Sequence, residues 1–157
     1  MNPVEVKATV RAKMAEFRLR PDEREAASIL LCARIQDLPS WSRARTVLTF
    51  SALPDEPCLD GLFCGKREFF FPRFHAGRGY TAAAVEALGE LVPGKFGILE
   101  PPVDAPECRP ENVDLVLVPG MAFDETGDRL GRGRGFYDRL LEVLAGAKVG
   151  VGFDHQL

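Results

Sequence analysis

Four consecutive aliphatic residues, Leu115 to Val118, closed by Pro119 and Gly120, constrain this chain more than any other feature. A run without polar alternation suits a strand inside a sheet covered on both faces. The segment from Asp114 to Arg139 therefore reads as a buried strand, a polar loop and a Gly/Arg-rich turn into a helix. In open α/β sheets, ligands sit in the crevice outside the carboxyl ends of the strands, where this loop begins.

In that turn Gly131, Gly133 and Gly135 alternate with Arg132 and Arg134. Glycines let the backbone take positive φ and approach a ligand closely, and guanidinium groups flank it. Free amides followed by a helix N-terminus suit an oxyanion, of which phosphate is the simplest. An ordinary surface turn has the same composition, and the residues alone leave both readings open. The pattern is neither a Walker loop, since it lacks the Gly-Lys-Ser/Thr ending, nor the dinucleotide Gly-x-Gly-x-x-Gly arrangement. Phe136, Leu140, Leu141 and Leu144 then recur at helical spacing. Asp138 in the first turn complements the helix dipole or, beside phosphate, holds a hard cation such as magnesium; spacing does not separate the two.

Strands are expected at Thr46 to Ser51, Glu68 to Pro72, Asp114 to Val118 and Lys148 to Phe153, separated by helix or loop, which indicates an α/β fold. Helices are expected from Val4 to Leu19 and from Pro21 to about Leu38, the second turning Ile29, Leu30, Ala33 and Leu38 to the core. Pro101 to Pro110, with four prolines, must be a connecting loop. Trp41 and Phe69 to Phe71 read as packing residues, because successive phenylalanines in a strand cover both faces of a sheet. His75 and His155 read as polar surface or hydrogen-bonding groups.

At 157 residues and 46% hydrophobic content the chain is expected to form one globular domain. A net charge of −3 argues against general nucleic-acid binding, and the basic groups concentrate in the first helix and the glycine turn. Cys32, Cys58, Cys64 and Cys108 form no Cys-x-x-Cys pair, so neither a zinc site nor a disulfide framework is indicated. No apolar run approaches the ~18 residues of a membrane span, and no signal-peptide core precedes the first helix. The expectation is a cytoplasmic monomer with no nucleic-acid or membrane partner.

Several motifs occur in one order: Lys7-Ala-Thr-Val-Arg11, Pro72-Arg73, Gly97-Ile-Leu-Glu-Pro101, Pro119-Gly-Met-Ala-Phe-Asp, Gly127-Asp-Arg-Leu-Gly-Arg-Gly-Arg-Gly-Phe-Tyr-Asp-Arg and Gly150-Val-Gly-Phe-Asp-His-Gln. Together they resemble the 5-formyltetrahydrofolate cyclo-ligases, also called methenyltetrahydrofolate synthetases. The resemblance implies a single-domain three-layer α/β/α sandwich with a mostly parallel sheet, and a strand near Tyr80 to Val85 where alanine-rich composition alone favours helix. It implies an ATP- and Mg2+-dependent ligase of folate one-carbon metabolism, with ATP as co-substrate. Such an enzyme converts 5-formyltetrahydrofolate to 5,10-methenyltetrahydrofolate and releases ADP and phosphate.

Carried over residue by residue, the resemblance assigns ATP binding to Lys7, Arg11, Arg129, Leu130, Gly131, Arg132, Gly133, Arg134, Gly135, Phe136 and Tyr137. Folate binding falls to Ser51, Glu56, Arg132, Gly133, Arg134, Gly135 and Phe136, metal binding to Asp138, and catalytic roles to Arg134 and Tyr137. A carboxylate such as Glu56 accepts paired hydrogen bonds from a pterin amino group and the neighbouring N–H. Spacing alone makes Lys7 and Arg11 two solvated charges one turn apart. Arg134 stands where relatives often carry lysine or glycine, and a planar guanidinium does not replace a point charge. The family usually continues beyond the position of Leu157 with a last strand and a further acid, which this chain is expected to lack. That departure keeps a non-catalytic folate- or nucleotide-binding relative as the alternative, and behind it a nucleotide-binding regulatory module.

Overall fold

The computed structural model describes residues 2–157. Strands β1 (Thr46–Leu48), β2 (Glu68–His75) and β3 (Gly79–Val85) are followed by two-residue strands β4 (Val92–Pro93) and β5 (Leu99–Glu100). Then come β6 (Leu115–Pro119), the short β7 (Ala122–Phe123) and β8 (Arg129–Leu130), and finally β9 (Ala147–Val151). The five longer strands form one sheet in the order β3-β2-β1-β6-β9, and β4–β5 and β7–β8 are separate hairpins. β1 runs parallel to β2 and β6, β6 runs parallel to β9, and β3 alone is antiparallel.

All five residues of β6 are buried, as the unbroken aliphatic run requires. Alternate side chains divide between two faces. Val47, Phe69, Phe71, Leu115 and Leu117 pack with Cys32, Ile35 and Trp41 from helices α2 (Pro21–Gln36) and α3 (Pro39–Arg43). Leu48, Phe70, Val116 and Val118 pack with Leu140 of α4 (Phe136–Val143) and with Leu144. Helices thus cover both faces of a mostly parallel sheet, which is the three-layer α/β arrangement expected.

Four expectations need correction. β1 ends at Leu48 and not at Ser51. Helix α1 (Pro3–Glu16) is capped by Asn2, whose Oδ1 accepts the Val4 and Glu5 amides at 3.0 and 2.9 Å, but it stops before Leu19. Phe17 is extended, and its ring stacks on His155 at 3.8 Å, a contact that a continued helix would forgo. Helix α2 turns Ser28, Leu31, Cys32 and Ile35 inward, not Ile29 and Leu30, which are 64% and 62% exposed, nor Ala33. The inward stripe is small and partly polar because the segment after Cys58 crosses it closely: Ser28 Oγ accepts the Cys58 amide at 3.0 Å. Leu38 does pack on the core. β9 begins at Ala147 and ends at Val151, short of Phe153, which instead starts a helical turn. β3 occupies the alanine-rich segment, followed by a helical turn at Leu88–Glu90.

Two features fix the loops around the sheet. Phe123 lies in a trough of glycines at the ends of β6 and β9: a Cβ at Gly120 or Gly150 would sit 2.7 Å from its ring, and one at Gly152 3.0 Å. At the opposite end, Asp114 Oδ2 accepts the Arg45 and Thr46 amides at 2.8 and 3.1 Å. These amide bonds hold the Asp114 carboxyl below the usual carboxylate range. A depressed folded-state pKa means stabilisation that is present above the unfolded value of about 3.9 and lost as pH falls through the folded one. Asp114→Asn is therefore expected to cost about 0.5–1 kcal/mol at pH 7, small because the site is exposed. The cost should shrink in urea melts run progressively below pH 4; a pH-independent difference would exclude this linkage.

Candidate functional site

β1 and β6 are parallel neighbours, so the segments leaving their carboxyl ends open on the same edge of the sheet. Between them lies a cavity of about 450 Å³, within the range of small-molecule sites. Lys7 and Arg11 reach it from α1, and Phe50, Ser51, Leu53 and Glu56 from the segment after β1. Pro72 and Tyr80 come from β2 and β3, and Phe96, Ile98 and Glu100 from the β4–β5 hairpin. The continuous run Arg129 to Asp138 forms the remaining wall. All the residues assigned by resemblance thus surround one space.

The glycine turn is held open by specific bonds. Gly133 and Gly135 take φ of 89° and 63°, a region that disfavours side chains, and Gly135 caps α4. Arg11 Nε donates to the Gly131 carbonyl at 2.8 Å, so α1 is fastened to the turn rather than merely solvated beside it. Arg129 donates to the Pro119 carbonyl at 3.1 Å and to Asp138 Oδ1 at 2.7 Å, which ties β8 to the end of β6 and to the first turn of α4. Lys7 lines the cavity, and no hydrogen bond of its side chain is seen among the described residues.

Arg132 crosses from the turn to the segment after β1. It donates to Asp55 Oδ1 at 2.7 Å and to Glu56 Oε1 at 3.1 and 3.2 Å. Glu56, 7% exposed, also accepts the Leu53 amide on Oε2 at 2.9 Å. Arg24 pins the same turn through the Glu56 and Leu53 carbonyls at 2.8 and 3.2 Å. Burial acts to lower the Arg132 pKa, but the Asp55 hydrogen bond and the Glu56 and Asp55 charges outweigh it and raise it. Tyr137 is driven upward, first by burial and then by the Glu56 charge, and Tyr80 by burial and by Glu100. Both phenols are neutral donors at physiological pH.

Arg134 lies with its guanidinium 3.4 Å from the centroid of the Phe96 ring. Phe96 itself has φ 62°, unusual for a residue with a side chain. Asp138 is 70% exposed and bonded to Arg129, and no group of three or more metal-ligating side chains exists among the described residues. One accessible carboxylate suits a magnesium ion whose other ligands are phosphate oxygens and water; it does not suit an all-protein cage.

Tyr80, Phe96, Ile98, Glu100, Asp55 and Arg24 escaped the sequence reading as site residues. Glu100 belongs to Gly97–Pro101, a motif that carried part of the resemblance without a role assigned to it. Tyr80 reads only as a strand residue until its place in β3 is known.

Comparison with known proteins agrees with this architecture. Residues 3–153 match the model of the 5-formyltetrahydrofolate cyclo-ligase family. A probable 5-formyltetrahydrofolate cyclo-ligase of Schizosaccharomyces pombe is 31% identical over 125 residues, which are 74% of this chain and 61% of the relative. The 5-formyltetrahydrofolate cyclo-ligase of Escherichia coli is 30% identical over 152 residues, 88% of this chain and 82% of the relative. The solved structure of Aquifex aeolicus 5,10-methenyltetrahydrofolate synthetase superposes with a TM-score of 0.83 at 33% identity, covering 99% of this chain and 80% of that one. The chain therefore spans about three fifths of the yeast relative and four fifths of the bacterial ones.

Proposed function

This chain belongs to the 5-formyltetrahydrofolate cyclo-ligase family, and on that premise we propose that it converts 5-formyltetrahydrofolate to 5,10-methenyltetrahydrofolate, consuming ATP and releasing ADP and phosphate. The observation that supports this most is the single cavity with a cationic, amide-rich wall and an aromatic, carboxylate-bearing one. A reaction joining a nucleotide to a folate needs both in one space.

Lys7, Arg11 and the open turn from Arg129 to Tyr137 supply charge and free amides for the phosphate tail. Glu56 offers its carboxylate to the pterin N–H groups. The formyl oxygen takes the γ-phosphoryl group, N10 attacks the activated carbon, and phosphate departs, so catalysis is mostly positioning and charge neutralisation. Arg132, already at Glu56, stands where both substrates are held. Arg134 adds charge to the turn, and Tyr137 can donate a hydrogen bond but cannot act as a base. Asp138 would hold Mg2+, which when bound neutralises phosphate charge.

The test is to mix the purified chain with 5-formyltetrahydrofolate, Mg2+ and ATP and follow the absorbance of the methenyl product. Product strictly dependent on ATP is expected. Asp138→Ala should lower turnover roughly tenfold or more, a barrier change of ~1.4 kcal/mol upward. ATP-dependent thermal stabilisation without any product would reject the enzyme in favour of a non-catalytic binding relative.

A further inference from the structure

Glu100 is the one carboxylate lining the cavity whose chemistry the proposed reaction leaves unassigned. It is 8% exposed, yet its side chain has no hydrogen-bond or ion-pair partner among the described residues. The other two acids on the cavity wall are engaged: Glu56 by Arg132 and the Leu53 amide, Asp138 by Arg129. The carboxylate oxygens themselves are not sealed: they open on the cavity, where an N–H of a ligand can replace water as the donor. The position is also built. Gly94, just past β4 in the hairpin and bonded through its amide to the Ile98 carbonyl, leaves the space that the Glu100 carboxyl group fills, and a Cβ there would collide with it.

We propose that Glu100 is a second folate-recognition residue, accepting a hydrogen bond from an N–H group of the reduced folate. The inference rests on the function proposed above and assigns the wall that the substrate uses. A carboxylate repels phosphate, so Glu100 itself does not serve the nucleotide's phosphates; those belong with Lys7, Arg11 and the glycine turn. Its neighbours on the cavity wall, Phe96, Ile98 and Tyr80, provide the aromatic and apolar surface that a conjugated ring system needs. The Glu100 charge is felt by Tyr80, whose pKa it helps to raise, and Arg134 opposes it. Glu56 and Glu100 thus divide the folate's N–H donors between a carboxylate shared with Arg132 and one with free lone pairs.

The experiment measures thermal shifts of wild type, Glu100→Ala and Glu100→Gln with 5-formyltetrahydrofolate alone and with Mg2+ and ATP alone, beside steady-state kinetics. Glu100→Ala is expected to lose most of the folate-induced shift, keep the ATP-induced shift, and raise KM for the folate by roughly tenfold to a hundredfold with kcat changed little. Glu100→Gln keeps the volume and one carbonyl acceptor, so it should fold like wild type and fall between the two. A folate shift and KM within about threefold of wild type in both variants overturn the proposal, as does equal loss of the ATP shift. A wild-type chain that shows no folate-induced shift overturns the functional reading itself, and this inference with it.

Discussion

Arg132→Ala is expected to reduce kcat/KM for 5-formyltetrahydrofolate by roughly a hundredfold or more and to destabilise the ligand-free chain by about 1–3 kcal/mol. Both effects come from one geometry. The guanidinium joins the glycine turn to Asp55 and Glu56, so its removal leaves the Glu56 carboxylate buried with a single amide donor. Breaking a fully buried pair costs about 3–5 kcal/mol; Arg132 is 35% exposed, and the smaller figure reflects that. Arg132→Lys should recover stability in part and activity poorly, because an ammonium cannot reproduce the fork that reaches both acids. Urea melts and steady-state kinetics on the two variants check this. Activity of Arg132→Ala within about threefold of wild type would sink the assignment.

Gly150→Val should unfold about 2 kcal/mol more easily and lose a large part of its activity, although residue 150 does not line the cavity. Valine favours a strand by up to ~1 kcal/mol over glycine. Against that, its Cβ would lie 2.7 Å from the Phe123 ring, which Gly120 and Gly152 hem in on other sides. Overpacking of this kind costs about 1–3 kcal/mol, and expelling the half-buried ring forfeits about 1 more. Phe123 pairs with Arg129 in the β7–β8 hairpin, so the displaced ring takes with it the arginine that ties Pro119 to Asp138. Adding Phe123→Ala should relieve the collision and make the double variant more stable than additivity allows. A Gly150→Val chain matching wild type in thermal midpoint and turnover would show that the ring moves freely.

The parts of this architecture legible in the amino-acid sequence are those governed by local rules. Leu115–Val118 and Phe69–Phe71 are long enough apolar runs to specify buried strands, and the alternating glycines and arginines announce an open, cationic turn. The inward face of α2 was not legible, because Ser28 and Cys32 are small where a neighbouring segment crosses, while Ile29 and Leu30, the residues periodicity favours, face solvent. The aromatic and acidic wall of the cavity was equally hidden. β4 and β5 are two residues each, too short for any period, and the placing of Phe96 and Glu100 depends on a left-handed backbone and on the room at Gly94. The Phe123 trough is invisible because Gly120 and the ring of one segment meet Gly150 and Gly152 of another only in the folded chain.

The cavity is a non-local object. Its walls come from residues as far apart as Lys7 and Asp138, and the clamp that sets β1 against β6, between Thr46 and Asp114, joins positions 68 residues apart. Neither wall faces the other until the entropy of closing that loop has been overcome. Occupancy of the pocket and integrity of the fold are consequently one equilibrium. A ligand at a hundred times its dissociation constant adds about 2.7 kcal/mol to the whole domain, enough to conceal the stability defect of a pocket variant, which shows its full size only in the empty protein.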